Sequence, residues 1–469
     1  MAEDYVIRVL DSPLDVDAAA WDALLQTQPN PSPFMRHAYL AALHTSGSAA
    51  PASGWTPHFV TLSLDGALVA ACALYEKAHS YGEYVFDWAW ANAYAQHGLP
   101  YYPKAVAAVP FTPVPGARLM ARDGAARVAL VRAMVRWCDD NGMSSLHLLF
   151  ANEDDAAACA TAGLMLRHTV QFHWKNLAPT LATACAALPP EGAQFPGGAD
   201  RQAVQSALGR PGGEFVAPGY ADFDAFLASL SQEKRKKIRQ ERRKVAEAGV
   251  SFRWSLGRDI SPSDWNFFYR CYERTYLEHG NAPYLNRDFF ARMASTMPEH
   301  WLLFIAERDG KAIASSLIAL DAHHTGTGTP KTSGDWVAAC SAQVKEEPAP
   351  RAGDTEQNRL PPSLRSESTK VAYGRYWGAL ERVDCLHFEA CYYQPLQWCI
   401  EHGYQRFEGG AQGEHKMARA LLPVRTTSAH WLAHPAFSDA VARFLEREDQ
   451  GISNYLDDLR QRSPFRHGQ

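Results

Sequence analysis

The sequence predicts a mixed α/β fold made of two tandem, similar domains with mixed β-sheets flanked by helices. Three observations carry that expectation. Helices, a β-meander and a strand–helix–strand unit occur in that order twice. Two hairpin turns, Asp65-Gly66 and Arg308-Asp309-Gly310, sit at matching places in the two copies. Two stretches of biased composition interrupt the pattern, at 178–219 (Ala, Pro, Gly) and at 322–370 (polar, dotted with Gly and Pro), and read as a linker and an insert.

In the first copy, periodicity predicts a helix near Trp21, a second over 35–44, and a hairpin from Pro57 to Tyr75. A helix at 124–141 ends near Gly142, followed by a strand Leu146–Phe150, a short helix 153–162 and a strand 164–174. The second copy opens with a short helix 221–229, then a charged helix from Ser231 to Ala248, stopped by Gly249, and a strand 250–256. A helix capped by Ser261 or Ser263 runs to about His279, and another opens near Asn286. The hairpin Trp301–Asp321, a strand Val371–Leu380, a helix 385–402 ending at Gly403 and a strand 404–408 complete it. The expected domains are 1–177 and 220–450, with 451–469 as a C-terminal tail.

With 469 residues, 46% of them hydrophobic, the chain can bury a sizeable core. A net charge of -5 argues against wholesale coating of nucleic acid, so no DNA partner is expected and any polyanion site must be local. Nine cysteines without CxxC spacing, and no leader-like opening, point to a reducing cytoplasm. No apolar run of about 18 residues is present, so no membrane span is expected. There is no P-loop, HExxH or GxSxG elbow. Cys385, His387, Cys391, Cys399, His402 and His415 match no common zinc spacing, so no metal is expected.

Two segments stand out chemically. From His79 to Arg118, aromatics crowd together with prolines, glycines and charges, and neither helical nor strand periodicity persists. His79, Tyr81, Glu83, Tyr84, Asp87, Trp88, Tyr101, Tyr102, Lys104 and Arg118 suit a wet groove for a polar ligand. The alternative is an irregular loop whose rings plug the side of a core. The second segment, Lys234–Lys244, packs eight cations into eleven residues, with Ile238 and Val245 marking its buried side. It reads either as a solvated face or as a contact for phosphate or nucleic acid through Lys234, Arg235, Arg239 and Arg242.

Several blocks carry a family resemblance: HSYGEYVFDWAW, YYPK (101–104), PFTPVPGAR (110–118), QFHWKN (171–176), KRKKIRQERRK (234–244), YGRYWG, HFEACYYQ and FEGGAQGEHK (within 373–416), and SAHW (428–431). Across nearly the whole chain outside the two biased stretches, they resemble the FemAB-like N-acyltransferases of the GNAT superfamily. The resemblance implies two GNAT-like domains and a relation to Fem aminoacyl transferases, which move an amino acid from aminoacyl-tRNA to an amine of a peptidoglycan precursor. It implies acyl-CoA or aminoacyl-tRNA as co-substrate, no permanently bound cofactor, an amine acceptor (small molecule or peptide, including a peptidoglycan-related one), and tRNA as a candidate partner. Two alternatives keep the fold without that chemistry: a non-catalytic binding protein for a nucleotide-linked or peptide ligand, and an RNA-associated protein using the basic helix.

Acyl transfer to an amine needs a base for the ammonium, stabilisation of the oxyanion and an acid for the leaving group. A helix capped by Asp384 would present His387, Glu389, Tyr392 and Tyr393 in its first turns, near free N–H groups. Glu389, Glu408, Glu414 and His415 are candidate bases, and Tyr376, Tyr392 and Tyr393 candidate acids. Arg375 or Lys416 could neutralise an oxyanion or phosphate, and Gln394 and Gln412 complete the expected contacts. Arg406-Phe-Glu-Gly409-Gly-Ala411 fits the superfamily's Gln/Arg-x-x-Gly-x-Gly/Ala phosphate loop, yet it follows the 385–402 helix, and the expected junction before that helix, Leu380–Leu386, has no glycine. The donor is therefore left open between coenzyme A and a bulkier carrier.

Overall fold

A computed structural model describes residues 4–29, 31–177, 219–321, 370–411 and 413–466. Nearly all of the 178–219 linker and the 322–370 insert, as well as Gln412, lie outside the described residues. The first half contains β1 (Val6–Leu10), α1 (Ala18–Gln26), α2 (His37–Thr45), β2 (Trp55–Leu64), β3 (Ala67–Lys77), α3 (Trp88–Gln96), β4 (Lys104–Ala107), β5 (Met120–Ala121), α4 (Gly124–Asp140), β6 (Ser145–Ala151), α5 (Glu153–Thr161) and β7 (Met165–Lys175). The second contains α6 (Phe223–Ser229), α7 (Gln232–Glu247), β8 (Val250–Leu256), α8 (Pro262–Glu278), α9 (Arg287–Thr296), β9 (Trp301–Arg308), β10 (Lys311–Leu320) and β11 (Val371–Ala379). It continues through α10 (Leu386–Phe388), a π turn (Glu389–Tyr393), α11 (Gln394–Glu401), β12 (Arg406–Glu408), β13 (Leu422–Leu432) and α12 (Pro435–Gln461).

The strands form one continuous sheet in the order β1-β2-β3-β4-β6-β13-β7-β12-β11-β10-β9-β8, with β5 beside β3. Read from either edge the plan is the same. A meander ends in a parallel pair, β4 with β6 or β11 with β12, and the next strand comes from the other half. Thus β13 pairs with β6, β7 pairs with β12, and the two exchanged strands pair antiparallel at the centre. The expected mixed α/β class with helices flanking mixed strands is what forms, and the two copies are joined by reciprocal strand exchange.

Local chemistry explains the elements. In both hairpins the Asp-Gly pair takes positive φ, 51° and 80° at Asp65-Gly66, 51° and 70° at Asp309-Gly310, matching the twist of the flanking strands. Asn286 caps α9 by accepting from the Phe289 N–H, and Ser261 caps α8. Gly378 lets α8 lie directly on β11, because a Cβ there would sit 1.9 Å from the Cys271 carbonyl oxygen. One core joins the halves: Tyr39 of α2 packs edge-on against Phe289 of α9, and Phe34 against Tyr373 of β11.

Three expectations need correction. The aromatic segment contains α3, whose Trp90 and Tyr94 are buried one turn apart. Residues 451–461 are not a tail but the second half of α12, which buries Leu456 and Leu459. Asp384 does not cap the next helix; Cys385 occupies that position with φ 65° and no side-chain cap, while Asp384 pairs with Lys244.

Candidate functional site

The site follows from how two parallel strands part. β11 and β12 are in register only from Val371 opposite Arg406 to Tyr373 opposite Glu408. Beyond that, β11 continues beside β10 while the chain leaves the sheet at Gly409. Gly374 marks the parting, since a Cβ there would lie 2.7 Å from the Phe407 ring. Four cavities follow the opening, and each shares residues with the next. The first, about 360 Å³, is lined by Tyr84, Phe86, Phe150, Arg167, Gln171, Glu414 and Tyr455, among others. The second, about 220 Å³, shares Tyr84 and Ala411 with it and adds Phe111, Tyr272, Tyr276, Arg375 and Tyr376. The third, about 120 Å³, shares Gly374, Arg375, Tyr376 and Gly409, and reaches His387, Cys391 and Tyr392. The fourth, about 420 Å³, shares Trp377 and His387 and lies at the start of the 386–401 helical stretch, beside Arg274 and Arg382. Tyr84 of the first half and Arg375, Tyr376, Tyr392 and Glu414 of the second therefore line one groove.

Backbone strain gathers at the same place. Besides the two hairpin aspartates, the non-glycine residues with positive φ among those described are Tyr84, Phe111, Phe150, Cys385 and Ala420. Three of these five line the groove, and αL aromatics persist only where packing over-determines them. The π turn at Glu389–Tyr393 is a second local irregularity that re-aims side chains beside the third cavity.

The predicted chemical groups divide into two sets. Tyr392 lies on the third cavity, with its hydroxyl 3.4 Å from His415 Nε2 and His387 edge-on to its ring. Burial raises the Tyr392 phenol above its ordinary range, so it stays a proton donor. Burial, then the charges of Lys416 and Arg419, lowers His415, and burial with His415, Arg419 and Lys416 takes His387 down to about 4; both rings are neutral at pH 7. Burial brings Lys416 to about 8, and its ammonium donates to the carbonyls of Gly410 and Ala411 at 3.0 Å each, which fixes the loop after β12. Glu414 lines the first cavity, but Tyr455 and Arg462 donate to its carboxylate and hold its pKa below the ordinary value, which weakens it as a base.

The other set is buried and occupied by internal partners. Glu389 is paired with Arg242 at 3.0 Å and accepts from Gln394, and Tyr393 donates to Glu241, itself paired with Arg419. Neither Glu389 nor Tyr393 lines a cavity of the groove. Glu408, which burial pushes up to about 7 against the pull of Arg406, Arg375 and Arg118, sits 3.1 Å from Arg406 and 3.9 Å from His173.

The ligand surface expected in the aromatic segment is mostly interior. Lys104 reaches Glu83 at 2.8 Å, Asp87 and Ser80; Tyr101 donates to Asp87 at 2.6 Å and lies 3.2 Å from His147. His147 meets His430 at 2.7 Å, and Trp90 packs over both rings. Buried charges need such partners, so Glu83, Asp87, Tyr101 and Lys104 have turned inward to one another instead of toward a groove. Tyr102 bonds Ser80, and His79 accepts from the Tyr81 N–H. Tyr81 and Trp88 stay exposed beside one another. Arg118 is fully enclosed, donating to the carbonyls of Leu149 and Val114. Of this predicted set, Tyr84 alone lines the groove.

The basic helix α7 uses part of its charge structurally. Arg242 holds Glu389, Arg239 lies 3.5 Å from Asp224, Lys234 contacts Glu233, and Lys244 contacts Asp384. Lys236 and Lys237 are exposed and Arg235 half-buried. Sequence reasoning did not single out Tyr84's neighbours Phe111, Tyr272 and Tyr276, because rings lining a cavity and rings filling a core look alike until the backbone is placed.

The sequence profile of the FemAB-like family, described as peptidoglycan biosynthesis/recognition, matches residues 12–180, 203–325 and 349–467. The chain belongs to the FemAB-like family. Solved structures similar to this FemAB-like chain include L-PGS from Bacillus licheniformis, at 10% identity over 92% of this chain and 97% of that one, with a TM-score of 0.45. FemX matches at 9% identity over 94% and 100%, TM-score 0.45. A tandem GNAT protein from the clavulanic acid biosynthesis pathway matches at 13% over 92% and 99%, TM-score 0.37. A sequence comparison with curated proteins found no match. Among the described residues, no helix of this FemAB-like protein is long and apolar enough to cross a membrane, and no group of three His, Cys, Asp or Glu side chains could hold a metal.

Proposed function

We propose that the protein is an N-acyltransferase that moves an acyl or aminoacyl group from an activated donor to an amine of a polar acceptor, with the reaction in the groove where β11 and β12 part. The observation that carries this reading is Tyr392 on the wall of a groove that runs through four connected cavities, with His415 3.4 Å from its hydroxyl. In this scheme neutral His415 takes a proton from the acceptor's ammonium, the freed amine attacks the acyl carbonyl, and Tyr392 gives a proton to the leaving group as the tetrahedral intermediate collapses. Lys416, though tied to two carbonyls, supplies positive potential to the developing oxyanion. Glu389, assigned to catalysis on sequence grounds, acts instead with Arg242 to hold the π turn.

The donor is acyl-CoA or aminoacyl-tRNA. The glycine loop at 409–411 leads into a 3₁₀ helix at Glu414–Arg419 rather than an α-helix, which disfavours a phosphate cradle there. The larger cavity beside Arg274 and Arg382 also carries Glu278 and Glu381, and Arg274 is paired with Glu278 at 2.6 Å, so it does not favour a donor phosphate either. The exposed cations of α7 offer tRNA a further contact. The seven described cysteines are all free thiols, in keeping with a reducing, cytoplasmic setting. The acceptor class would include peptidoglycan-related amines, given the family's description. The test is transfer of labelled acetyl from acetyl-CoA, and of labelled amino acid from aminoacyl-tRNA, to a panel of peptide amines. Turnover that falls in Tyr392→Phe and His415→Ala supports the reading, and no transfer from either donor class overturns it.

A further inference from the structure

Arg375 lies on β11 between the second and third cavities, and its surroundings are unusual for a guanidinium. One nitrogen donates to the Phe111 carbonyl at 2.8 Å, but the buried Nε–H meets no acceptor. No carboxylate lies within ion-pair distance of it among the described residues, whereas the buried Arg419 has Glu241, Arg127 has Asp155, and Arg118, also without an ion pair, donates to two backbone carbonyls. The second cavity presents Tyr84, Phe111, Tyr272, Tyr276 and Tyr376 around this single cation, with no acid in its lining. The rings of Phe34 and Tyr376, 5.6 and 5.4 Å from the guanidinium carbon, stabilise it only in part. A half-buried cation with no carboxylate at ion-pair distance and an enclosed Nε–H without an acceptor is costly to leave unpaired, and the Nε edge of arginine suits a carboxylate held side-on.

We infer that this tyrosine-walled cavity binds the carboxylate of the acceptor on Arg375, so that the acceptor is a carboxylate-bearing amine of amino-acid or short-peptide size. The inference rests on the acyltransferase reading for the word acceptor, but not for the site itself. One guanidinium among neutral phenols matches a monoanion, whereas a phosphate dianion would call for further cations. The third cavity continues from Arg375 to Tyr392, so a ligand anchored by its carboxylate would extend its amine toward the Tyr392–His415 pair.

Calorimetric titration of the full chain, without any donor, with phenylacetate, phenylacetamide and phenyl phosphate tests this. The expected result is phenylacetate binding at least tenfold tighter than phenylacetamide. That preference should vanish in Arg375→Met and survive in part in Arg375→Lys, with Tm and circular dichroism confirming the fold. Equal binding of phenylacetate and phenylacetamide, or a preference that persists in a folded Arg375→Met, overturns the proposal. Tighter binding of phenyl phosphate overturns it in favour of a phosphate site. If Arg375→Met does not fold, the ligand series on the unaltered chain and on Tyr276→Phe decides, since the carboxylate preference must be present in the former and weaker in the latter. Because no donor is present, a failed transfer assay leaves a positive titration standing, and a failed titration leaves the transferase reading standing.

Discussion

The two halves share one strand plan but treat the opening between their parallel strands in opposite ways. In the first half, the gap beyond Ala107 and Leu148 is closed by the chain itself. Gly116 bridges Ala151, the Gly116 N–H donates to the Phe150 carbonyl, and Arg118 spans the carbonyls of Leu149 and Val114. In the second half, the gap beyond Tyr373 and Glu408 is lined but not filled, and the groove occupies it. The lesson is one of polar satisfaction. Arg118 spends its donors on backbone and serves as a plug, while Arg375, at the other opening, keeps an orphan Nε–H.

Four perturbations break or sharpen that contrast. Lys104→Met should have the largest effect, because it strands Glu83 and Asp87 in the interior; a loss of about 3–5 kcal/mol of stability is expected by denaturant titration. A smaller loss would mean the network is hydrated. In the open half, Tyr392→Phe should instead cut turnover by about 100-fold, roughly 2.7 kcal/mol, with little change in Tm, as read by steady-state kinetics beside a melting curve. Arg118→Met should reverse that signature, with about 1–3 kcal/mol of stability lost as two buried carbonyls lose their donor, and turnover per folded molecule preserved.

The smallest effect concerns pH. Burial first, then Lys104, holds the His147 imidazole down at about 3, whereas in an unfolded chain it titrates near 6.5. Between those values the unfolded chain binds the extra proton, so His147 costs stability as pH falls from 6.5 toward 3. Glu83 and Glu408, raised to about 7 by burial, act with the opposite sign, because there the folded protein holds the extra proton. Only the difference between variants isolates one group. His147→Gln should make the acid limb less steep by up to about 1.4 kcal/mol per pH unit, measured as unfolding free energy at pH 6 and pH 5. Parallel limbs in the two proteins would exclude a neutral buried His147.

Much of the fold was legible in the sequence because its signals are local. The two Asp-Gly turns, the stop at Gly249 and the caps at Ser261 and Asn286 each act over a few residues, and each element they mark is present. α3 was hidden because its buried Trp90 and Tyr94 are embedded among equally aromatic exposed neighbours. β13 and α12 were missed for a different reason. The strand is defined by partners far away in sequence, and α12 carries its four buried apolar residues, Val441, Leu445, Leu456 and Leu459, across a polar middle. The site was half legible. Tyr84, Arg375, Tyr376, Tyr392, His415 and Glu414 do line the groove or flank it, but a charged residue that meets solvent and one that meets another charge 17 or 21 residues away read alike, as Asp87 and Glu83 with Lys104 demonstrate.

The exchange of β7 and β13 has a consequence for how the molecule is made. As the chain emerges from the ribosome, the first half can complete its meander and lay down β6, but the strand that belongs beside β6 is the last strand to be translated. Until β13 arrives, β6 is an uncovered edge and β7 has only the short β12 beside it, so the centre of the sheet is the final part to close. Neither half should stand as an independent folding unit, and separate expression should yield two adhesive fragments whose solubility returns when they are produced together.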